Sequence, residues 1–271
     1  MPKVKKSVEK VAWITSALLA LSIILFGFFE AWGTQTFDEF VFFAVIAAFT
    51  PPAVLNYVDY RWKRAVDEHL PDLFRSIVQA QETGMTLPRA FEEAAKRDYG
   101  PLTSELKKLN NQVSWGMTLE DALIAFAKRA DTVLVQRTVP LIIEANRSGG
   151  RVERVFDPMG KFVQSTLMLH RERRTRTRPY IAILYVAFFV FIFTIAMLFK
   201  SFFVDVGGMP LLGAALMAPG EVKRLFFHMA AIQAFFGGLI AGKMGEGAIS
   251  AGLKHSLVLM ISGYLALKLF L

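Results

Sequence analysis

The sequence has no cysteine. Disulfides and thiolate metal sites are therefore excluded. Histidine is scarce, and His69, His170, His228 and His255 show no His-x-x-x-His spacing. All four read as surface or interfacial residues. Gly-x-x-x-x-Gly-Lys-Ser/Thr is absent, and no Gly-x-Gly-x-x-Gly sits between a strand and a helix. No Gly-x-Ser-x-Gly elbow is present. The chain itself reads as non-catalytic, with no catalytic residues, metal site or cofactor to assign. Alternating strand patterns are missing too, so the expected class is all-α. Finally, charge is nearly absent from long stretches toward each end of the 271 residues.

Those uncharged stretches approach the roughly 20 apolar residues that a bilayer requires. Residues 11–29 follow Lys3, Lys5, Lys6 and Lys10, and no small-residue cleavage site comes after them. They read as a retained transmembrane helix rather than a signal peptide. Residues 40–58 form a second span with Pro51 and Pro52 inside, where a kink is expected. Spans at 180–199, 225–242 and ending near Leu271 complete a set of about five. The resulting division is 1–58 with two spans, 59–178 as a polar insert, and 179–271 with three spans. Lys and Arg flank the insert, while the 30–39 loop has none. The positive-inside rule then puts the N-terminus, the insert and the 243–254 turn in the cytoplasm, and the C-terminus outside. The same rule explains the formal charge of +8 without nucleic acid.

The insert carries a duplicated motif. Gly84-Met85-Thr86-Leu87 precedes Ala90-Phe91 and Ala95-Lys96-Arg97; Gly116-Met117-Thr118-Leu119 precedes Ala122-Leu123 and Ala127-Lys128-Arg129. A weaker third copy starts at Gly149. A period of roughly 30 residues is the size of a helical hairpin. In each unit glycine stops a helix in the left-handed conformation and threonine stands where a cap oxygen is wanted. Gly84, Gly116, Gly149 and Gly150 are thus structural turn glycines. Apolar spacing predicts a first helix with Pro71 in its first turn, then helices at about 86–98, 102–115, 118–130 and 131–147, and another after Gly150. The insert is a cytoplasmic bundle of about six helices.

Three charged or small-residue features stand out. The run 171–178, Arg-Glu-Arg-Arg-Thr-Arg-Thr-Arg, is either an anchor to anionic lipid or part of a helix that continues into the third span and meets a partner. Glu120 and Asp121 suit the first turn of their helix, whereas Glu144 suits a contact with a partner or with Arg147. Gly238-x-x-x-Gly242 and Ala248-x-x-x-Gly252 are small-x-x-x-small pairs that allow close helix packing. Lys243 with Glu246 reads as a charge pair near the membrane surface, serving either a tight hairpin or a substrate helix.

The repeats, the Ser148-Gly149-Gly150 turn and the flanking spans resemble the type II secretion system F domain, over about 70–200. The segment Gly242-Lys243-Met244-Gly245-Glu246-Gly247, with Ala251-Gly252-Leu253-Lys254-His255, resembles the archaeal FlaJ/TadC-like branch. The resemblance implies a membrane platform for a type IV pilus, an archaellum or a type II secretion pseudopilus. It implies as partners a cytoplasmic assembly ATPase below and pilin or archaellin subunits from the bilayer. Relatives often carry two such domains and this sequence one, which suggests a half-length protein, a truncated chain or a subunit that forms a homodimer to supply the second bundle. ATPase docking is then expected at Arg89, Lys96, Arg97, Lys128, Arg129, Arg173, Arg174 and Arg176. Membrane packing or pilin contact is expected at Gly238, Gly242, Lys243, Glu246 and Gly252. The alternative is a transporter or channel with a helical cytoplasmic domain. A membrane enzyme would need a constellation that is absent.

Overall fold

The computed structural model describes residues 6–31, 35–147, 153–201 and 219–270. Among them every regular element is helical. The helices are α1 Lys6–Ala31, α2 Gln35–Glu82, α3 Leu87–Ala94, α4 Pro101–Ser114, α5 Leu119–Ala130, α6 Val133–Arg147, α7 Glu153–Phe199, α8 Pro219–Glu246 and α9 Leu253–Phe270, with a 3-10 turn at Ser250–Gly252. Five of them, α1, α2, α7, α8 and α9, are long and apolar enough to cross a membrane. A crossing takes about 20 residues. Thus only part of α2 and α7 spans; from Asp59 onward α2 is studded with Arg61, Lys63 and Arg64, and α7 is polar through Arg178.

Two compact units emerge. One is residues 58–173, and the other combines residues 4–57 with 174–271. The first is a bundle of six helical segments: the polar part of α2, then α3 to α6, then the start of α7. Its core follows from helical spacing. Leu70, Leu73, Phe74 and Ile77 share a face of α2; Leu102, Leu106 and Leu109 share one of α4. Leu87, Phe91, Leu119, Leu123 and Phe126 join the same cluster, as the duplicated motif predicts. Each fully buried Leu or Phe contributes about 1.5–3 kcal/mol.

Several expectations need correction. Pro71 does not open a helix: α2 runs unbroken through Pro51, Pro52 and Pro71. A proline withdraws one backbone donor, but the neighbouring Leu70, Leu73 and Phe74 are buried, and that burial outweighs the lost bond. The first motif helix is shorter than 86–98, ending at Ala94 with a tightened turn in which Lys96 and Arg97 donate to the Glu93 and Ala94 carbonyls. α6 begins at Val133 because Asp131 takes a left-handed conformation, φ 52°, and Thr132 accepts from the Val135 amide at 3.2 Å. Gly149 and Gly150 lie outside the described residues.

In the second unit α8 and α9 form an antiparallel hairpin. Phe188, Ile192 and Ile195 of α7 pack in one cluster with Ala230, Ala234, Leu259 and Met260. Phe42, Phe227 and Tyr264 form an aromatic group with centroids 5.3 to 6.3 Å apart, in which Phe42 stacks on Tyr264 and Phe227 meets both at steeper angles. Large apolar side chains such as Phe29, Ile183, Phe193 and Leu265 point outward. That is the pattern of helices whose solvent is lipid.

Candidate functional site

The bundle's repeated turns are built alike. At the first, Gly84 N–H donates to the Gln81 carbonyl at 2.8 Å and Met85 N–H to the Ala80 carbonyl at 3.2 Å. At the second, Gly116 N–H donates to Val113 at 3.0 Å and Met117 N–H to Gln112 at 3.1 Å. Both are Schellman closures, and the glycines stand at φ 84° and 94°. The caps that follow differ. Thr118 caps the helix by accepting from the Asp121 amide at 3.1 Å, and its hydroxyl donates to the Asp121 carboxylate at 2.7 Å. Thr86 makes no side-chain cap bond, and Pro88 occupies the first turn instead.

Charged groups on the bundle are mostly engaged with one another. Arg89 pairs with Glu92, Lys96 with Glu93 at 2.8 Å, and Arg97 donates to Ser76 at 3.1 Å. These three remain exposed, and so does Lys128. Arg129 is different. Its guanidinium donates to Glu105 at 2.8 Å and to Gln112 at 3.1 Å, and it is half-buried. Glu105 is 4% exposed and also takes Lys108 at 2.7 Å. Burial pushes the Glu105 carboxyl up, but the hydrogen bonds and charges of Lys108 and Arg129 outweigh this and hold it below the ordinary value. Arg129 therefore serves the bundle's interior rather than an open docking face. Arg147 reaches across to Glu120 at 2.6 Å, and the charge of the neighbouring Glu144 adds to that attraction. Arg173 and Arg176 are exposed on α7, and Arg174 is partly exposed.

Between α5 and α6 lies a groove of about 520 Å³. Ile124, Ala127, Val139 and Pro140 line it, and Lys128 and Glu144 stand on its wall. Two of the expected docking or contact residues thus meet at one concave, mostly apolar surface. An exposed Trp115, 84% accessible, precedes the second repeated turn.

In the membrane unit the small residues bring backbones together. A Cβ at Gly242 would stand 2.1 Å from the Gly252 backbone, and one at Gly238 would stand 2.1 Å from that of Ser256. Gly252 in turn abuts Leu239. Ser256 donates to the Phe235 carbonyl at 2.7 Å, a polar tie across the same hairpin. Gly238, Gly242 and Gly252 are filled by this chain's own backbone. Lys243 and Glu246 do not pair as expected. Glu246 bonds Lys254 instead, because the 3-10 turn brings the start of α9 back over the end of α8. The Lys254 ammonium also sits 4.9 Å from the centre of the Tyr57 ring. At the other end of the hairpin Arg224 donates to Asp38 at 3.0 Å, and Tyr264 to Glu39 at 3.1 Å.

Some of these residues had a legible signal. Glu105 falls among Leu102, Leu106 and Leu109 on one helical face, and an acid at a core position needs a partner. Asp38 and Arg224 stand 186 residues apart, so nothing local joins them.

The family described as "Type II secretion system (T2SS), protein F" matches residues 73–199. An uncharacterized protein of Methanocaldococcus jannaschii is 25% identical over 278 aligned residues, covering 99% of this chain and 45% of the relative. The chain thus spans about half the length of that relative. No solved structure matches. The family match covers just under half of this chain.

Proposed function

We propose that this chain, whose residues 73–199 match the type II secretion system protein F family, is a cytoplasmic-membrane platform for a type IV pilus-like filament or archaellum. The observation that carries this reading is the coincidence of the domain with a helical bundle in a chain of five apolar helices. In this role the bundle receives a cytoplasmic assembly ATPase, and the membrane helices receive pilin or archaellin subunits. The N-terminus and bundle face the cytoplasm and the C-terminus faces outward, as the Lys and Arg distribution favours. The chain works in this role as a homodimer. Anionic lipid neutralises the arginines of 171–178.

The contact set is narrower than the basic residues alone suggest. Arg129 is committed to Glu105, so Lys128 on the α5–α6 groove, with Arg89, Lys96 and Arg97, is the expected ATPase-facing group. Arg173, Arg174 and Arg176 serve lipid and ATPase together. Gly238, Gly242 and Gly252 hold the hairpin, and a pilin contact there falls to the outward sides of α8 and α9.

The test is a detergent pull-down from the native host with this chain as bait. The expected result is co-purification of an assembly ATPase and pilin-like subunits. A partner set of metabolite-handling proteins without either would overturn the proposal and favour a transporter.

A further inference from the structure

We propose that Asp67, Thr132, Lys63 and Asp131 form a proton-operated latch that fastens the α5–α6 turn to α2. The latch lies wholly within the bundle and is independent of the platform reading. Asp59, Lys63 and Asp67 recur every four residues on one face of α2. Lys63 Nζ bridges Asp59 and Asp131, each at 3.1 Å. Asp131 is the left-handed residue that ends α5, with its N–H on the Ala127 carbonyl at 3.0 Å. Thr132 follows it, is 4% exposed, and caps α6 by accepting from the Val135 amide. The same hydroxyl is the hydrogen-bond partner of the Asp67 carboxyl. Thus a charged tie and a hydroxyl tie join α2 to two consecutive residues of one turn.

The two ties respond differently to protons. Burial works against the Lys63 ammonium, but its bonds to Asp131 and Asp59 raise it above the ordinary lysine value, so it stays charged. Asp67 is poorly served: its Oδ1 is buried without a hydrogen-bond partner. Burial pushes its carboxyl up to about 6; the Thr132 bond and Lys63 pull down, and the Glu68 charge pushes up. Glu68 is itself held by Arg64 at 3.0 Å and faces Arg171 of α7 at 3.7 Å. Asp59 and Asp131 face Lys63 between them. The sign follows from linkage. With the turn closed the carboxyl binds its proton more tightly than when open to water, so the latch tightens as pH falls through about 6 and loosens above it. Between pH 7.5 and 5 the closed-to-open ratio should rise about tenfold.

The test is hydrogen exchange of the full chain in nanodiscs, read at the Val135 and Gln136 amides and corrected for the intrinsic pH dependence of exchange. Wild type should gain about tenfold protection between pH 7.5 and 5. Asp67→Asn, which is neutral at every pH, should be equally protected at both. Thr132→Val removes the donor to the carboxylate and also the cap on the Val135 amide, so it is read at Gln136 alone, whose amide bonds the Thr132 backbone carbonyl; there it should lose protection at pH 7.5 while keeping the response to acid. Wild-type protection that does not change with pH would overturn the latch, whatever the variants do. So would an unaltered pH response in Asp67→Asn, which would assign the effect to a histidine or another carboxylate.

Discussion

The two units of this chain expose opposite kinds of residue. The bundle hides Phe74, Phe156, Leu102, Leu106 and Leu123 and turns most of its charges to water. The membrane unit turns Phe29, Phe193, Leu265 and Ile183 outward and closes its α8–α9 hairpin with Gly238, Gly242 and Gly252. The reason is the solvent. Water drives large apolar groups into a core, whereas lipid is as apolar as leucine and gives no such drive. Helices in lipid hold together by close backbone approach and by polar ties such as Ser256 to Phe235 and Glu246 to Lys254. The same residue type therefore has a different energetic role in each half.

The contrast can be broken most severely at Gly242. A valine there would drive its Cβ into the Gly252 backbone, which no side-chain rotation relieves. Gly242→Val should cost about 3 kcal/mol or more and abolish the monodisperse peak in detergent. A variant that elutes like wild type would show that the hairpin is not held by this approach.

Leucine should matter next, according to whether it is buried or faces outward. Leu102→Ala empties a fully buried site and should cost about 2–5 kcal/mol. Leu265→Ala, on the outward side of α9, should stay within about 0.5 kcal/mol. Thermal melts of the two variants in one detergent would decide; equal losses would erase the distinction between the solvents.

A smaller effect is expected at Glu105. Glu105→Gln strands Arg129 in a half-buried position and should cost about 1–3 kcal/mol. The carboxyl is held below its ordinary value, so its contribution is fully present above the unfolded value of about 4.5. It is lost as pH falls below that toward the lowered folded value. A melt series from pH 7 to 3 should show wild type losing this advantage over Glu105→Gln only in acid. An advantage that persists unchanged at pH 3 would refute the assignment.

The finest comparison lies within the duplicated motif. Thr118→Ala removes a side-chain cap and should cost about 1 kcal/mol, while Thr86→Ala removes no cap bond and should cost a few tenths. Equal losses would mean that Thr86 caps its helix in solution.

Local patterns were legible in advance, and long-range choices were not. The apolar runs marked the five membrane helices, and the Gly-Met-Thr-Leu repeats marked two Schellman turns and the faces that meet in the bundle core. Proline misled: Pro71 looked like a helix start, but the burial around it carries α2 past. Glu246 had two cations within reach in sequence, Lys243 and Lys254, and only the turn at Ser250–Gly252 selects the second. Arg129 read as an open cation because nothing local ties it to Glu105, 24 residues earlier. Asp67 was hidden for the same reason, since its partner Thr132 comes from another helix end.

The central functional claim is that the bundle receives an assembly ATPase, and the α5–α6 groove is where it can be tested most directly. Lys128→benzoylphenylalanine places a photo-crosslinker on the groove wall of the full chain in its native host. Irradiation of living cells followed by mass spectrometry should give an adduct with a cytoplasmic assembly ATPase, and the adduct should vanish when the ATPase gene is deleted. Adducts with other cytoplasmic proteins alone, with the same outcome from Arg89, Lys96 and Arg97, would contradict it.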